Sequence, residues 1–222
     1  MSRPTTRRRR GSRGADRPAP AGARTARGAA TQAQLVRSAK KIFERDGFLD
    51  ARITDITATA GTATGSFYKY FASKEEIFLA VVKALDEEGL HTPSLELLAA
   101  EHDDLFADVA EHQRRYLATY RRNAKMMSVI EEVTNIDDSF RKERTSRAQP
   151  WIEGNVAAIR ALQEAGRADP SLDPLVAGRT LSIMLSRAAY VTFVLEEEGP
   201  EAIDGLAETL TRIWMNALKI PA

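Results

Sequence analysis

The side chains best suited to bind a phosphate backbone or a base edge are concentrated in one short segment, residues 64–70. Threonine and serine hydroxyls make short, adaptable hydrogen bonds, a tyrosine hydroxyl can donate to a phosphate oxygen, and a lysine adds a positive charge. A glycine among them leaves room for a phosphate group at the start of a helix. The candidate contacts in this segment are Thr64, Gly65, Ser66, Tyr68, Lys69 and Tyr70.

Two short helices have to position these side chains. Apolar spacing predicts one helix at about 53–60 and another at about 63–70, and Gly61 supplies the backbone freedom that a tight turn between them requires. Phe67 and Phe71 fall on the face of the second helix that must be buried. Two short helices joined by a glycine turn indicate a helix-turn-helix unit.

Longer helices are predicted on both sides of this unit. The preceding helix ends at Gly47, which is placed to adopt a positive φ after the last helical turn. Ser73 and Glu76 form a capping box, in which each residue satisfies a free amide near the start of the next helix. The two short helices are therefore supported from both ends.

The stretch Gly61–Glu75, GTATGSFYKYFASKE, resembles the DNA-binding domain of the TetR family of transcription regulators. The resemblance extends over residues 31–85. It implies that Tyr68 and Lys74 contact phosphates, and that Thr54 reaches DNA from the preceding helix. It also places four residues at base edges or nearby phosphates: Thr64, Gly65, Ser66 and Lys69.

The sequence departs from the family pattern at the start of the first short helix. Ala51 and Arg52 stand where the family usually has Thr or Ser. We therefore expect Asp50 to cap this helix, and Arg52 to contact a phosphate in place of the missing hydroxyl.

Two further departures affect the contact between the short helices. Thr57 replaces a small apolar residue, so we expect its hydroxyl to bond to the Ile53 carbonyl. Ala63 replaces the usual Ser at the start of the second helix, which leaves Thr62 as the expected cap.

Charge is distributed unevenly along the chain. Residues 1–30 carry nine arginines and one acid, residues 31–74 have a net charge of +3, and the remainder has a net charge of −10. The first segment has too little apolar surface to fold, so we predict a disordered basic arm that is available to DNA phosphates. The predicted domains are this arm, a DNA-binding domain at 31–76 and a helical effector-binding and dimerisation domain at 77–222.

Long helices are predicted through the second half, near 103–122, 124–134, 137–166, 174–197 and 200–219. The last two are apolar over much of their circumference, so each needs more than one neighbour. The resemblance implies an effector pocket and dimerisation through these two helices. The candidate dimer residues are Leu181, Ala189, Leu206, Leu210 and Trp214.

Large, soft or aromatic side chains on the central helices are the candidate pocket residues, although ordinary core packing is the favoured role for each. Arg187 lies among apolar neighbours and needs solvent or a partner. That partner is Glu131 or Glu132, the dimer interface, or an acidic ligand. The full candidate set is Tyr116, Tyr120, Met127, Ile130, Trp151, Met184, Arg187 and Tyr190.

An enzyme is not expected. The chain has no cysteine and three histidines, and it shows no Ser/His/Asp set, phosphate-binding loop or HExxH motif. We expect no cofactor or metal, no membrane span and a cytoplasmic location. The expected fold is all-α, with an N-terminal helix-turn-helix domain and a larger helical domain. The expected function is a homodimeric repressor that binds a palindromic double-stranded operator and is released by a small, mainly apolar effector; an activating or architectural DNA-binding protein is the alternative.

Overall fold

The computed structural model describes residues 21–90, 104–136 and 138–220, and the regular structure in these ranges is entirely helical. The all-α prediction is confirmed. The predicted break at 91–93 and the first twenty residues of the predicted arm lie outside the described residues. The described helices are α1 (Ala21–Asp50), α2 (Ile53–Thr59), α3 (Thr64–Phe67), α4 (Lys74–Leu85), α5 (Leu105–Arg122), α6 (Ala124–Ile136), α7 (Asp138–Glu164), α8 (Pro174–Tyr190) and α9 (Ala202–Leu218).

Helix α1 begins at Ala21, so residues 21–30 are helical where the sequence analysis predicted disorder. This part of the prediction is wrong for a physical reason. Alanine has the highest helix propensity, and adding residues to an existing helix costs far less than starting a new one. The packed part of α1, from Leu35 onward, supplies that existing helix.

The N-terminal helices pack around an aromatic core. Phe43 of α1 and Phe67 of α3 are fully buried, and Phe78 of α4 contacts the Phe43 ring edge-on at a centroid distance of 5.3 Å. Phe140 of α7 contacts Phe48 and Phe78 at centroid distances of 5.5 and 5.3 Å. The N-terminal helices therefore share one hydrophobic core with the second half of the chain.

The turns follow the predicted glycines, but two predicted caps are absent. Gly47 has φ 73° and ψ 178°, and Gly61 has φ 64°. The residue before α2 is Arg52, and no side chain, including that of Asp50, caps this helix. The Thr62 hydroxyl is buried without a partner among the described residues, so it does not cap α3. Neither predicted side chain reaches the free amides of its helix.

The capping box at α4 is confirmed in outline. The Glu76 amide donates to the Ser73 hydroxyl at 3.3 Å, and the Glu76 carboxylate accepts from the Ala72 amide at 2.5 Å. The carboxylate therefore reaches one residue further back than the usual box.

In the second half, α7 packs along α8 and α5 packs along α9. Asp173 caps α8, accepting hydrogen bonds from the Leu175 and Val176 amides at 2.8 and 2.9 Å. Helix α7 continues through Pro150 without division. Helices α4 and α8 each continue into one π-helical turn, at Asp86–Leu90 and Val191–Leu195. None of the described helices has both the length and the apolarity needed to cross a membrane.

Replacing Gly47 with alanine is expected to lower the free energy of unfolding by about 1–3 kcal/mol, because its φ and ψ values fall in a region essentially restricted to glycine. A Cβ at this position would meet no atom within 4 Å, so the cost comes from the backbone alone. Urea unfolding followed by circular dichroism measures it. The matched control is Gly65→Ala, which is also unobstructed but helical and should be neutral or slightly stabilising. Equal stability of the two variants would contradict the assignment.

Candidate DNA-binding surface and internal cavity

The predicted contact residues of α3 form an exposed polar surface over a buried anchor. Phe67 is fully buried, whereas the neighbouring Tyr68 ring is 58 % exposed and contacts the Phe67 ring edge-on. Thr64, Gly65 and Lys69 are also exposed. The anchor therefore fixes the helix while these side chains stay free to reach a ligand.

Ser66 and Tyr70 are half-buried and less accessible than predicted. The Tyr70 hydroxyl lies against α1, where a Cβ on Gly28 would be 3.8 Å from it. The N-terminal turns of α1 consequently lie beside the end of the segment 64–70. Arg27 is exposed on these turns and is a basic residue next to the surface.

Arg52, immediately before α2, and Thr54 of α2 are exposed on the same surface. The buried Thr57 hydroxyl donates to the Thr54 carbonyl at 3.0 Å, not to Ile53 as predicted. It also lies 3.3 Å from the Thr64 hydroxyl. A bond three residues back turns the hydroxyl toward α3, so Thr57 links the two helices of the unit.

Lys74 does not fit the predicted role of a phosphate contact. Its ammonium group donates to the carbonyls of Phe48, Leu49 and Ala51 at 2.7, 2.9 and 3.1 Å. An ammonium has three donors, so none is left for DNA. The nitrogen also lies 4.7 Å from the centre of the Phe48 ring. Lys74 therefore fastens the start of α4 to the end of α1, and we call this arrangement the Lys74 clamp.

A cavity of about 610 Å³ lies between α4, α5, α6, α7 and α8. Seven of the eight predicted pocket residues line it; Met184 does not. Helix α8 instead presents Ser182, Ile183 and Ser186 to the cavity, because Met184 lies on another side of that helix. The seven lining residues that were predicted are Tyr116, Tyr120, Met127, Ile130, Trp151, Arg187 and Tyr190.

Aromatic rings form one wall of the cavity. Tyr116 and Trp151 lie parallel, with 5° between their planes and 6.2 Å between their centroids. Tyr120 packs against Tyr116 at a centroid distance of 5.8 Å. Burial raises the pKa of both tyrosine hydroxyls well above the usual range, so both stay protonated and can act as donors.

Four arginines of the lining were missed: Arg141, Arg144, Arg147 and Arg179. Arg147 bonds to the Asp86 carboxylate and donates to the Val82 carbonyl at 3.2 Å, which ties α7 to the end of α4. A signal was present in the sequence, since the first three recur at intervals of three along α7. Such a series lies along one side of a helix, but it is equally typical of a solvated face.

The sequence and fold comparisons agree with this arrangement. Residues 35–81 match the family model described as bacterial regulatory proteins, tetR family. The regulator EthR of Mycolicibacterium smegmatis is 25 % identical over 204 residues, which is 90 % of this chain and 92 % of EthR. Its DNA-binding domain belongs to the TetR family. The protein is a DNA-binding transcriptional regulator and not an enzyme.

Two further proteins place this TetR-family regulator among its relatives. The transcriptional repressor NicS of Pseudomonas putida is 25 % identical over 142 residues, 62 % of this chain and 64 % of NicS. The crystal structure of FadR from Bacillus subtilis in complex with stearoyl-CoA superimposes with a TM-score of 0.69 at 13 % identity, covering 83 % of this chain and 98 % of FadR. The second likeness concerns the fold alone.

The predicted dimer residues of this TetR-family regulator are mostly covered within its own subunit. Ala189 is fully buried, and Leu181, Leu210 and Trp214 are 5, 4 and 1 % exposed. Leu206 is half-buried. Four of the five thus face the core, because α7 and α5 cover those sides of α8 and α9.

Lys74→Met and Lys69→Met are expected to have opposite effects. Losing the Lys74 ammonium leaves three carbonyls without their donor, so the free energy of unfolding should fall by about 1–3 kcal/mol. Losing the exposed Lys69 ammonium should leave stability unchanged, weaken DNA binding across sequences and lower its salt slope by about 1. Thermal unfolding and fluorescence anisotropy over a salt series measure the two effects. A Lys74→Met protein of normal stability with a reduced salt slope would restore Lys74 as a phosphate contact.

Proposed function

We propose that this regulator is a homodimeric repressor that binds a palindromic operator and releases it when a small, mainly apolar effector enters the cavity. The DNA contacts are assigned to the exposed residues of α2 and α3. Residues 31–76 act as the DNA-binding domain and residues 77–222 as the effector-binding and dimerisation domain. The contacts are Arg52, Thr54, Thr64, Gly65, Tyr68 and Lys69, with Ser66 and Tyr70 at the edge.

The observation that carries the proposal is the position of α4. Its first residue, Lys74, holds the end of α1, and its C-terminal part supplies Val82, Leu85 and Asp86 to the cavity lining. A ligand that moves this end of α4 therefore moves the helix on which the DNA-binding unit rests. Such coupling requires the ligand to bind one position of α4 more tightly than the other.

A polar network at the same junction supports the coupling. The Lys40 ammonium of α1 donates to the Asn123 side chain at 2.5 Å, and Asn123 donates to Glu88 at 3.1 Å. Asn123 is 2 % exposed and sits between α5 and α6. The network joins α1, the π-helical turn after α4 and the effector domain. A displacement of α4 therefore changes hydrogen bonds to all three.

The cavity lining supports a mainly apolar effector. Its aromatic and aliphatic residues include Tyr116, Trp151, Ile130 and Leu85, and its volume is within the range of small-molecule sites. FadR of Bacillus subtilis, which has a similar fold, holds stearoyl-CoA. A long apolar ligand in this regulator is consistent with that neighbour.

Exposed apolar residues on α8 and α9 support a dimer. Val176 of α8 is 62 % exposed, and Ile213 of α9 is 44 % exposed. A second subunit would cover such side chains in a symmetric contact. The dimer surface is therefore assigned to these outward residues together with Leu206.

The proposed repressor function can be tested in a transcription assay with purified components. Full-length protein should reduce transcription from a promoter in its own upstream region, and the neutral fluorophore N-phenylnaphthylamine, an apolar probe, should restore it. Ala148→Phe, which places a large ring in the cavity, should repress normally. Restoring transcription should then require about ten times more probe than with the unchanged protein. Ala157→Phe on the exposed side of α7 is the control. Increased transcription on adding the protein would favour an activator, and normal release from Ala148→Phe would exclude this cavity.

Ile213→Glu is expected to raise the dimer dissociation constant at least about tenfold, because the buried charge occurs twice across a two-fold axis. Ile136→Glu is the control, since Ile136 is 60 % exposed but belongs to α6 and not to α8 or α9. Sedimentation velocity over a concentration series measures the dissociation. An Ile213→Glu protein that stays dimeric to the same dilution as the control would place the interface elsewhere.

A further inference from the structure

Most of the cavity wall is apolar, but the charged residues that line it have a positive net charge. Five arginines line it, against the two carboxylates of Asp86 and Glu131. The lining therefore carries an excess of three positive charges, whereas residues 75–222 as a whole have a net charge of −10. This positive charge is concentrated around a cavity inside an otherwise acidic domain.

Both carboxylates of the lining already have arginine partners. Asp86 is paired with Arg147, and Glu131 is paired with Arg144 at 2.5 Å. Arg141 is paired at 2.9 Å with Asp138, which lies outside the lining. Among the described residues no carboxylate is left in the lining to receive a cationic ligand.

Two arginines of α8 remain without a carboxylate partner among the described residues, Arg179 and Arg187. They lie two turns apart on one side of the helix, with Ile183 between them, and all three line the cavity. The Arg187 guanidinium packs over the Tyr190 ring at 4.7 Å from its centre. This contact orients the guanidinium while leaving its N–H groups available.

A buried donor lies near Arg187. Tyr120 is 4 % exposed and lines the cavity. Burial is the main influence on the Tyr120 hydroxyl and raises its pKa, whereas the charges of Arg144 and Arg187 act in the opposite direction. A buried donor next to two guanidinium groups is suited to accept an oxyanion as its partner.

We propose that the effector is an amphipathic anion, whose carboxylate or phosphate group binds Arg187 and the Tyr120 hydroxyl while its apolar body lies against Tyr116 and Trp151. This inference rests on the proposed effector role of the cavity and narrows the class of molecule that fills it. Arg144 is shared between Glu131 and the anion, and Arg179 adds positive charge two turns away.

Matched anionic and neutral probes test the charge preference directly. The first pair is anilinonaphthalene sulfonate and N-phenylnaphthylamine, which differ by the sulfonate; the second set is decanoate, decyl phosphate and decanol. Binding to the full-length protein is measured by probe fluorescence and by displacement. We expect the anions to bind at least about tenfold more tightly than the neutral partners, and the preference to shrink as salt rises. Decanoate against decyl phosphate separates the two head groups.

Two variants locate the anion. Arg187→Gln should reduce anion affinity about tenfold or more and leave the neutral probes unchanged, and Tyr120→Phe should act in the same direction. Arg160→Gln is the control for charge alone, because Arg160 is exposed on α7 and does not line the cavity. Normal melting temperatures and normal DNA binding without ligand establish that the variants are folded.

The outcomes separate this inference from the proposed function. Equal binding of charged and neutral probes, or binding of neither, overturns the anion assignment. If N-phenylnaphthylamine releases the protein from DNA and the anionic probes do not, the anion assignment fails but the proposed repressor function is retained. If Arg187→Gln changes dimer dissociation and not anion selectivity, Arg187 belongs to the subunit contact and the assignment also fails. Anion binding that does not release DNA would instead sustain the site and contradict the effector role.

Discussion

The arrangement of the DNA-binding unit depends on one ammonium group. Lys74 lies in the first turn of α4, where the helix dipole disfavours a positive charge, yet its nitrogen donates to three carbonyls near the end of α1. Those carbonyls lie after the non-helical Gly47, and the Phe48 ring adds a cation–π contact. These contacts offset the unfavourable position of the charge at the start of α4. The angle between α1 and α4 is fixed as a result, and α2 and α3 are held between them.

The opposite end of α4 has the same kind of cross-link. Arg147 bonds to Asp86 and to the Val82 carbonyl, so α7 holds the C-terminal part of α4 as Lys74 holds its start. The two attachments differ in what they face. Lys74 contacts other parts of the DNA-binding unit, whereas Arg147 and Asp86 line the cavity. A helix that is attached to the DNA-binding unit at its start and borders the cavity at its end can couple the two binding sites.

Much of this could be predicted from the sequence, and the failures have physical causes. Gly47, Gly61, Phe67 and the Ser73 cap were predicted from local patterns, because backbone φ, helix capping and the 3.6-residue period depend on nearby residues. The role of Lys74 could not be predicted this way. Its acceptors lie 23 to 26 residues away in the chain, and a long flexible side chain gives no local sign of its partner. The family motif was therefore the only guide to the role of Lys74, and it indicated a contact with DNA.

The cavity was predicted better than the dimer surface, because the two questions differ physically. Tyr and Trp combine an apolar ring with a polar group, so Tyr116, Tyr120 and Trp151 were suited to the wall of a cavity. Helices α8 and α9 instead have apolar residues on several sides, and burial on any side is equally favourable until the neighbours are known. Once α7 covers Leu181 and α5 covers Trp214, the sides left for a partner are those of Val176 and Ile213. Tertiary packing therefore decides which side of each helix faces the partner subunit. The sequence indicates only that each helix needs more than one neighbour.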